Sequence, residues 1–261
     1  KAMEDVDIVY HAAALKHVPV VEYNPFEAIK TNVLGSQNVI DACLHENIET
    51  VVCVGTDKAV SPLNTYGATK LLMEKLFVTA SNYTNRERHK TKFIAIRYGN
   101  VLGSSGSVVP TLLKQIESGR NITITDPNMT RFNITMNQAL DFIIRSSKKG
   151  NGGEVFIPKL KAYSLGILKE AILEVLEKDV KTELISVRPG EKYHESLISS
   201  EEIRNTFEDK DDYVILEDSL QNNIKTKKST LTNQYSSDVV ECLTKKELKK
   251  ILIEEKLVST K

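Results

Sequence analysis

Through the first half of the chain, apolar and β-branched runs alternate with segments whose apolar residues recur at helical spacing. "DIVYHAA" is followed by a helical stretch over 25–46, "ETVVCVG" by one over 64–80, and "KFIAIRYG" by a helix near 109–118. That rhythm predicts βαβ units, hence a doubly wound parallel sheet with helices on both faces. Further along come a strand at "NITIT", a helix at "NQALDFIIRSS", a strand at "EVFIP", a helix at "LGILKEAILEVLEK" and a strand at "ELISV". Residues 219–240 are poor in apolar side chains and read as a long surface excursion. "TKKELKKILIEEKL" then closes the pattern as an amphipathic helix.

Composition narrows the class. The 261 residues are 41% hydrophobic and 27% charged, and 35 basic groups offset 35 acidic ones. A chain of this size buries a substantial core, and its charge balance suggests neither disorder nor a general polyanion-binding surface, so nucleic acid is not an expected partner. Cys43, Cys53 and Cys242 are widely spaced and form no CxxC, which indicates neither a disulfide framework nor a metal site and fits a reducing cytoplasm. No apolar run reaches about 18 residues and no signal peptide is recognisable, so no membrane association is expected. The chain starts without Met and enters a β-type run almost at once, as though something preceded it.

Parallel sheets place ligands beyond the carboxyl ends of their strands. The chemically loaded stretches 11–19, 56–70 and 99–107 each follow a strand, so one shared cleft is expected. Tyr66 and Lys70 are spaced i, i+4 and share one helix face. An adjacent ammonium, helped by a cationic nicotinamide ring, favours phenolate and lowers a phenol's ordinary value near 10, and Thr56 at the preceding strand end could bond the same substrate hydroxyl. Taken alone, a Tyr packed along a Lys stem and a solvated Asp57–Lys58 pair are the default readings.

Thr56 with Tyr66-x-x-x-Lys70 resembles the active-site triad of the short-chain dehydrogenase/reductase superfamily, in its extended, nucleotide-sugar-modifying branch. "HAAALKHVPVVEYNPFEAIKTN", "TDKAVSPLNTYGATK", "RYGNVLGSSGSVVP", "MTRFNIT", "VRPGEKYHE" and a late "YSS" at 235–237 are similar, in order and interval, to the inverting UDP-N-acetylglucosamine 4,6-dehydratases of the pseudaminic acid pathway. The resemblance implies a Rossmann-like α/β fold, with residues 1–160 as a partial NADP-binding domain to which 105–129 adds part of the substrate site. Residues 161–261 would form a smaller substrate-binding region.

By the same resemblance, Tyr66 takes the proton of the sugar C4 hydroxyl, Lys58 removes the C5 hydrogen, and Asp57 assists loss of the C6 hydroxyl. Lys58 would then have to be partly neutral, and Asp57 would have to hold a proton. Ala12, Ala13, Lys16 and Val101 would contact the cofactor together with Tyr66 and Lys70. Lys16, Asn100, Thr125, Arg131, Arg188, Glu191 and Tyr235 would hold UDP-N-acetylglucosamine, and Asn32 would support the site. His11 and His17 read as structural, and the family implies a homo-oligomer.

Two features depart from the family pattern. Ser105 stands where the family commonly has Arg, and no GxxGxxG occurs anywhere in the chain, so the opening βαβ unit with its phosphate-binding turn is expected to be missing. Retaining relatives often carry Asp-Glu in place of Asp57–Lys58, and larger membrane-attached ones tend to have Met in place of Tyr66, which points to the inverting group. A retaining dehydratase, a nucleotide-sugar epimerase and a catalytically silent assembly subunit remain as alternatives.

Overall fold

The structure, a computed structural model, describes residues 1–83, 90–216 and 226–258, with only the backbone of Tyr83. It divides into two compact units that interleave along the chain. The first comprises Lys1–Tyr98, Leu140–Lys159 and Ser196–Tyr235, and the second Gly99–Ala139, Leu160–Glu195 and Ser236–Lys261. The sequence boundary at 160 is one of several points where the chain passes between units.

The first unit is built on a seven-stranded sheet. Strands Ile8–His11, Thr50–Val54, Lys92–Ile96 and Val155–Pro158 lie side by side and parallel. The central ones are buried almost throughout, as expected for strands covered on both faces, and this is why they read as unbroken apolar runs. Beyond Val155–Pro158 the sheet changes character. Asp212–Ile215 joins it antiparallel, followed by Thr206–Glu208 and the short Lys227–Lys228. The expected parallel sheet thus forms the core and is extended by an antiparallel edge that was not expected, with part of the expected surface excursion supplying its edge strand. Positions 219–225 of that excursion lie outside the described residues.

One helical stretch was expected over 25–46; the structure gives α-helix at Pro25–Ala28, a π-helical turn at Ile29–Leu34 and α-helix again at Gly35–His45. The helix Thr65–Tyr83 buries Tyr66, Thr69, Lys70, Met73, Glu74, Phe77 and Val78. These positions follow the i, i+3, i+4 pattern of a core-facing stripe. Two charges on such a stripe require partners.

The second unit packs helices Val108–Glu117, Leu165–Leu176 and Lys245–Glu254 around Leu112, Ile122, Leu168, Ile172, Leu248 and Leu252. The last helix opens with a reciprocal capping box between Thr244 and Glu247. Residues 130–134, which carry "MTRFNIT", form a buried strand between Asn100–Val101 and Ala162–Ser164. That strand was not expected, because its alternating polar side chains are themselves buried.

Candidate active site

In the first unit, stretches 11–19 and 56–70 follow neighbouring parallel strands, as expected. Stretch 99–107 opens the second unit. After Val54 the chain makes a tight passage: a Cβ on Gly55 would stand 2.4 Å from the Ile96 carbonyl oxygen, so only glycine lets the backbones approach this closely. Thr56 is extended, and Asp57–Ala59 form one 3₁₀ turn whose start Thr56 caps by accepting from the Lys58 amide.

That turn gathers the predicted acid and base. Asp57 is 1% exposed. Its Oδ1 accepts from the Thr56 hydroxyl at 2.8 Å and from Lys58 Nζ at 3.1 Å. Its Oδ2 is buried and accepts no hydrogen bond among the described residues, an arrangement that costs about 1–3 kcal/mol unless a ligand donor satisfies it. Lys58 is part-buried and turned onto this carboxylate rather than into solvent.

Tyr66 is buried beside the pair. Within the protein itself, burial pushes the phenol above its ordinary value, the Lys58 ammonium and the Thr56 hydroxyl pull it down, and Asp57 and Tyr98 push it up. Burial wins because it penalises phenolate from every side, whereas the ammonium acts from one. The cation with the largest pull on the phenol here is Lys58. Lys70, 3% exposed, instead donates to the Val54 carbonyl at 2.7 Å and to Met73 Sδ at 3.0 Å. Burial lowers its pKa, opposed by Cys53 and Glu74.

The π-helical turn explains Asn32. It is fully buried, and its amide accepts from the Leu15 amide at 2.7 Å, donates to the Leu15 carbonyl at 3.0 Å and donates to Thr69 Oγ1 at 3.0 Å. Thr69 in turn donates to the Tyr66 carbonyl. The loop carrying Ala12, Ala13 and Lys16 is thereby tied to the Tyr66 helix, although those three residues are exposed. His11 is structural as expected: its ring stacks on Phe77 and bonds the buried Ser36. His17 lies at the start of the short helix Val18–Tyr23.

Gly67 controls the closest approach in the site, since a Cβ there would stand 2.3 Å from the Lys58 carbonyl oxygen and 2.9 Å from Pro62 Cβ. Gly67→Ala must push the helix start off the turn. We expect at least about a tenfold fall in activity with helix content retained, measured by kcat and circular dichroism; unchanged kcat would show that Tyr66 tolerates the displacement.

The second unit assembles a different set. Arg131, 7% exposed, donates to the Thr130 and Tyr193 carbonyls and pairs with Glu191 at 3.2 Å. Glu191 also closes a turn with Arg188, whose side chain is exposed. Thr125 donates to Met129 Sδ, and Asn100 and Val101 pair with Asn133 and Ile134. Tyr193, which sequence reasoning did not single out, donates to Asp126 at 2.6 Å. Tyr235 lies in the first unit, buried edge-to-face against Tyr213. Ser105, in the family's Arg position, is exposed.

The profile described as "Polysaccharide biosynthesis protein" matches residues 1–217. The chain belongs to that family. It is 46% identical, over 82% of its length, to the UDP-N-acetylglucosamine 4,6-dehydratase (inverting) of Campylobacter jejuni. It spans 63% of that relative, less than two thirds. An uncharacterized membrane protein of Methanocaldococcus jannaschii is 42% identical over 97% of the chain and 76% of its own length. A UDP-glucose 4-epimerase of Rickettsia massiliae is 38% identical over 97% and 75%. Among solved structures, Pen from Bacillus thuringiensis superposes with a TM-score of 0.90 at 40% identity, covering 99% of this chain and 78% of that one. The α/β Rossmann-type fold of extended short-chain dehydrogenases is thereby shown. Among the described residues no helix is long and apolar enough to cross a membrane, and no three metal-ligating side chains converge.

Proposed function

We propose that this protein catalyses the 4,6-dehydration of UDP-N-acetylglucosamine with inversion at C5, yielding UDP-2-acetamido-2,6-dideoxy-β-L-arabino-hexos-4-ulose for surface-glycan synthesis such as that of pseudaminic acid, with NADP as cofactor. The observation that carries the reading is Asp57, with one oxygen on Thr56 and Lys58 and the other buried and unpaired. A sugar hydroxyl supplies the missing donor. Lys70 fits the nicotinamide end of a dinucleotide: an ammonium has three N–H bonds, and two are directed at Val54 and Met73. When bound, a nicotinamide dinucleotide supplies the hydride acceptor and donor.

The chain's own residues do the proton work. Tyr66 receives the C4 hydroxyl proton as phenolate, the form that the Lys58 ammonium and the Thr56 hydroxyl favour against burial. The Asp57–Lys58 ion pair, with Nζ 3.1 Å from Oδ1, becomes a neutral amine and a carboxylic acid when one proton moves across it, so both states the chemistry requires arise together. The Lys58 amine then takes the C5 proton made acidic by the C4 ketone. Asp57 gives its proton to the C6 oxygen, which leaves as water, and the ion pair is restored. The 5,6-double bond left behind is saturated by hydride at C6, the chemistry a bound dinucleotide would return, and by a proton from solvent at C5 on the face opposite Lys58, which inverts that centre.

The test is proton NMR of UDP-N-acetylglucosamine incubated with the protein and NADP in deuterated water. A new C6 methyl signal with deuterium at C5 is expected, and the configuration at C5 separates inversion from retention. The epimerase reading draws on the Rickettsia relative and needs only Thr56, Tyr66 and Lys70. It predicts a C4-epimer without a methyl signal, and leaves the Asp57–Lys58 pair without a task.

A further inference from the structure

Arg97 is fully buried at the end of the strand Lys92–Ile96, and both edges of its guanidinium are engaged. Nε and NH2 grip the two Glu74 oxygens at 2.6 Å each. NH2 and NH1 grip Glu202 at 2.7 and 3.0 Å, and NH1 also donates to the Leu197 carbonyl at 3.1 Å. Glu74 lies one turn beyond Lys70 on the buried stripe of the Tyr66 helix. Leu197 belongs to the strand Ser196–Ile198, which lies against the Asp57–Ala59 turn. On either side of Arg97, the Ile96 carbonyl receives the Gly55 amide and the Tyr98 carbonyl receives the Asp57 amide.

We propose that Arg97 is a positioning residue that, through its Glu74 and Glu202 forks, sets the Tyr66–Lys70 helix against the Asp57–Lys58 turn. The proposal rests on the reading of those four residues as the reacting machinery. A planar guanidinium held by two carboxylates allows little rotation or slip, so the helix is fixed where a single apolar contact would let it slide. Ser199 completes the second fork, since its amide and hydroxyl both donate to Glu202. The largest electrostatic influences on Tyr66 come from Lys58, Asp57 and Tyr98, together with the Thr56 hydrogen bond. Loss of the clamp therefore alters the phenol chiefly by displacing these neighbours.

The test labels the tyrosines with carbon-13 at Cζ, assigns Tyr66 by its disappearance in Tyr66→Phe, and follows its titration in wild type, Arg97→Lys and Glu202→Gln. In the folded variants the Tyr66 midpoint is expected to move by at least about half a unit. With UDP-N-acetylglucosamine as substrate, kcat should fall at least about tenfold with KM within about twofold. If Arg97→Lys does not fold, Glu202→Gln, at a side chain 23% exposed, keeps the question open to measurement. A folded variant in which Tyr66 titrates as in wild type overturns the proposal, as does one whose kcat stays within about twofold. Should wild type itself not turn over the sugar nucleotide, the midpoint alone decides, which separates failure of the clamp from failure of the functional reading.

Discussion

Tyr66→Phe is expected to lower kcat about 10²–10⁴-fold while the protein stays folded and still binds the sugar nucleotide. The ring is 9% exposed and keeps its packing against Val21 and Ala28, so only the hydroxyl is lost. That hydroxyl, bonded to Thr56, is the group placed to receive the C4 proton. Lys58→Met makes the informative contrast. It should permit oxidation at C4, seen as reduced nicotinamide in a single turnover, yet give no deuterium at C5 and no C6 methyl. A Tyr66→Phe protein within about tenfold of wild type would remove the phenol from the mechanism.

Arg97→Met should destabilise the first unit by about 3–5 kcal/mol, the usual result of stripping one partner from a buried ionic cluster. Met fills much of the volume, so the loss is electrostatic rather than a cavity. Glu74, 1% exposed, is left with a buried charge and no guanidinium. The pH dependence has a defined sign. Burial works to raise the Glu202 pKa, but the Arg97 guanidinium and Ser199 outweigh it and hold the carboxyl below its ordinary value. Such a group contributes stability that is present above its unfolded value and lost as pH falls through the folded one. The gap between wild type and Arg97→Met should therefore be widest near neutrality and narrow as pH falls, first as Glu202, stripped of its guanidinium and left with the burial that raises it, takes up a proton in the variant, and further below about pH 4.5 as wild type loses its own contribution from that group. Urea titrations at several pH values measure it, and a gap that widened in acid would contradict the account.

Much of this fold is legible along the chain because its central strands are buried on both faces. "TVVCV", "KFIAI" and "VFIP" stand out as apolar runs, and the intervening helices show their stripes. The antiparallel edge is harder to see. Thr206–Glu208 and Asp212–Ile215 are short and carry polar and acidic side chains, and Asp212 is tolerated at 0% exposure only because Arg145 and Lys149 reach it. Local pattern carries no trace of those partners, which lie 67 and 63 residues away.

The candidate site divides in the same way. Residue types and spacing by themselves put Tyr66 and Lys70 on one helix face and set Thr56, Asp57 and Lys58 just past a strand, because helical and extended periodicities are local properties. Tertiary structure alone decided that Lys58 turns onto Asp57, that Lys58 is the cation with the largest pull on the phenol, and that burial raises the phenol overall. It alone also brought Glu74, Arg97 and Glu202 together across 23 and 105 residues of chain. Charge pairing and desolvation act through space, and the distances that set them come into being only when distant segments fold against one another.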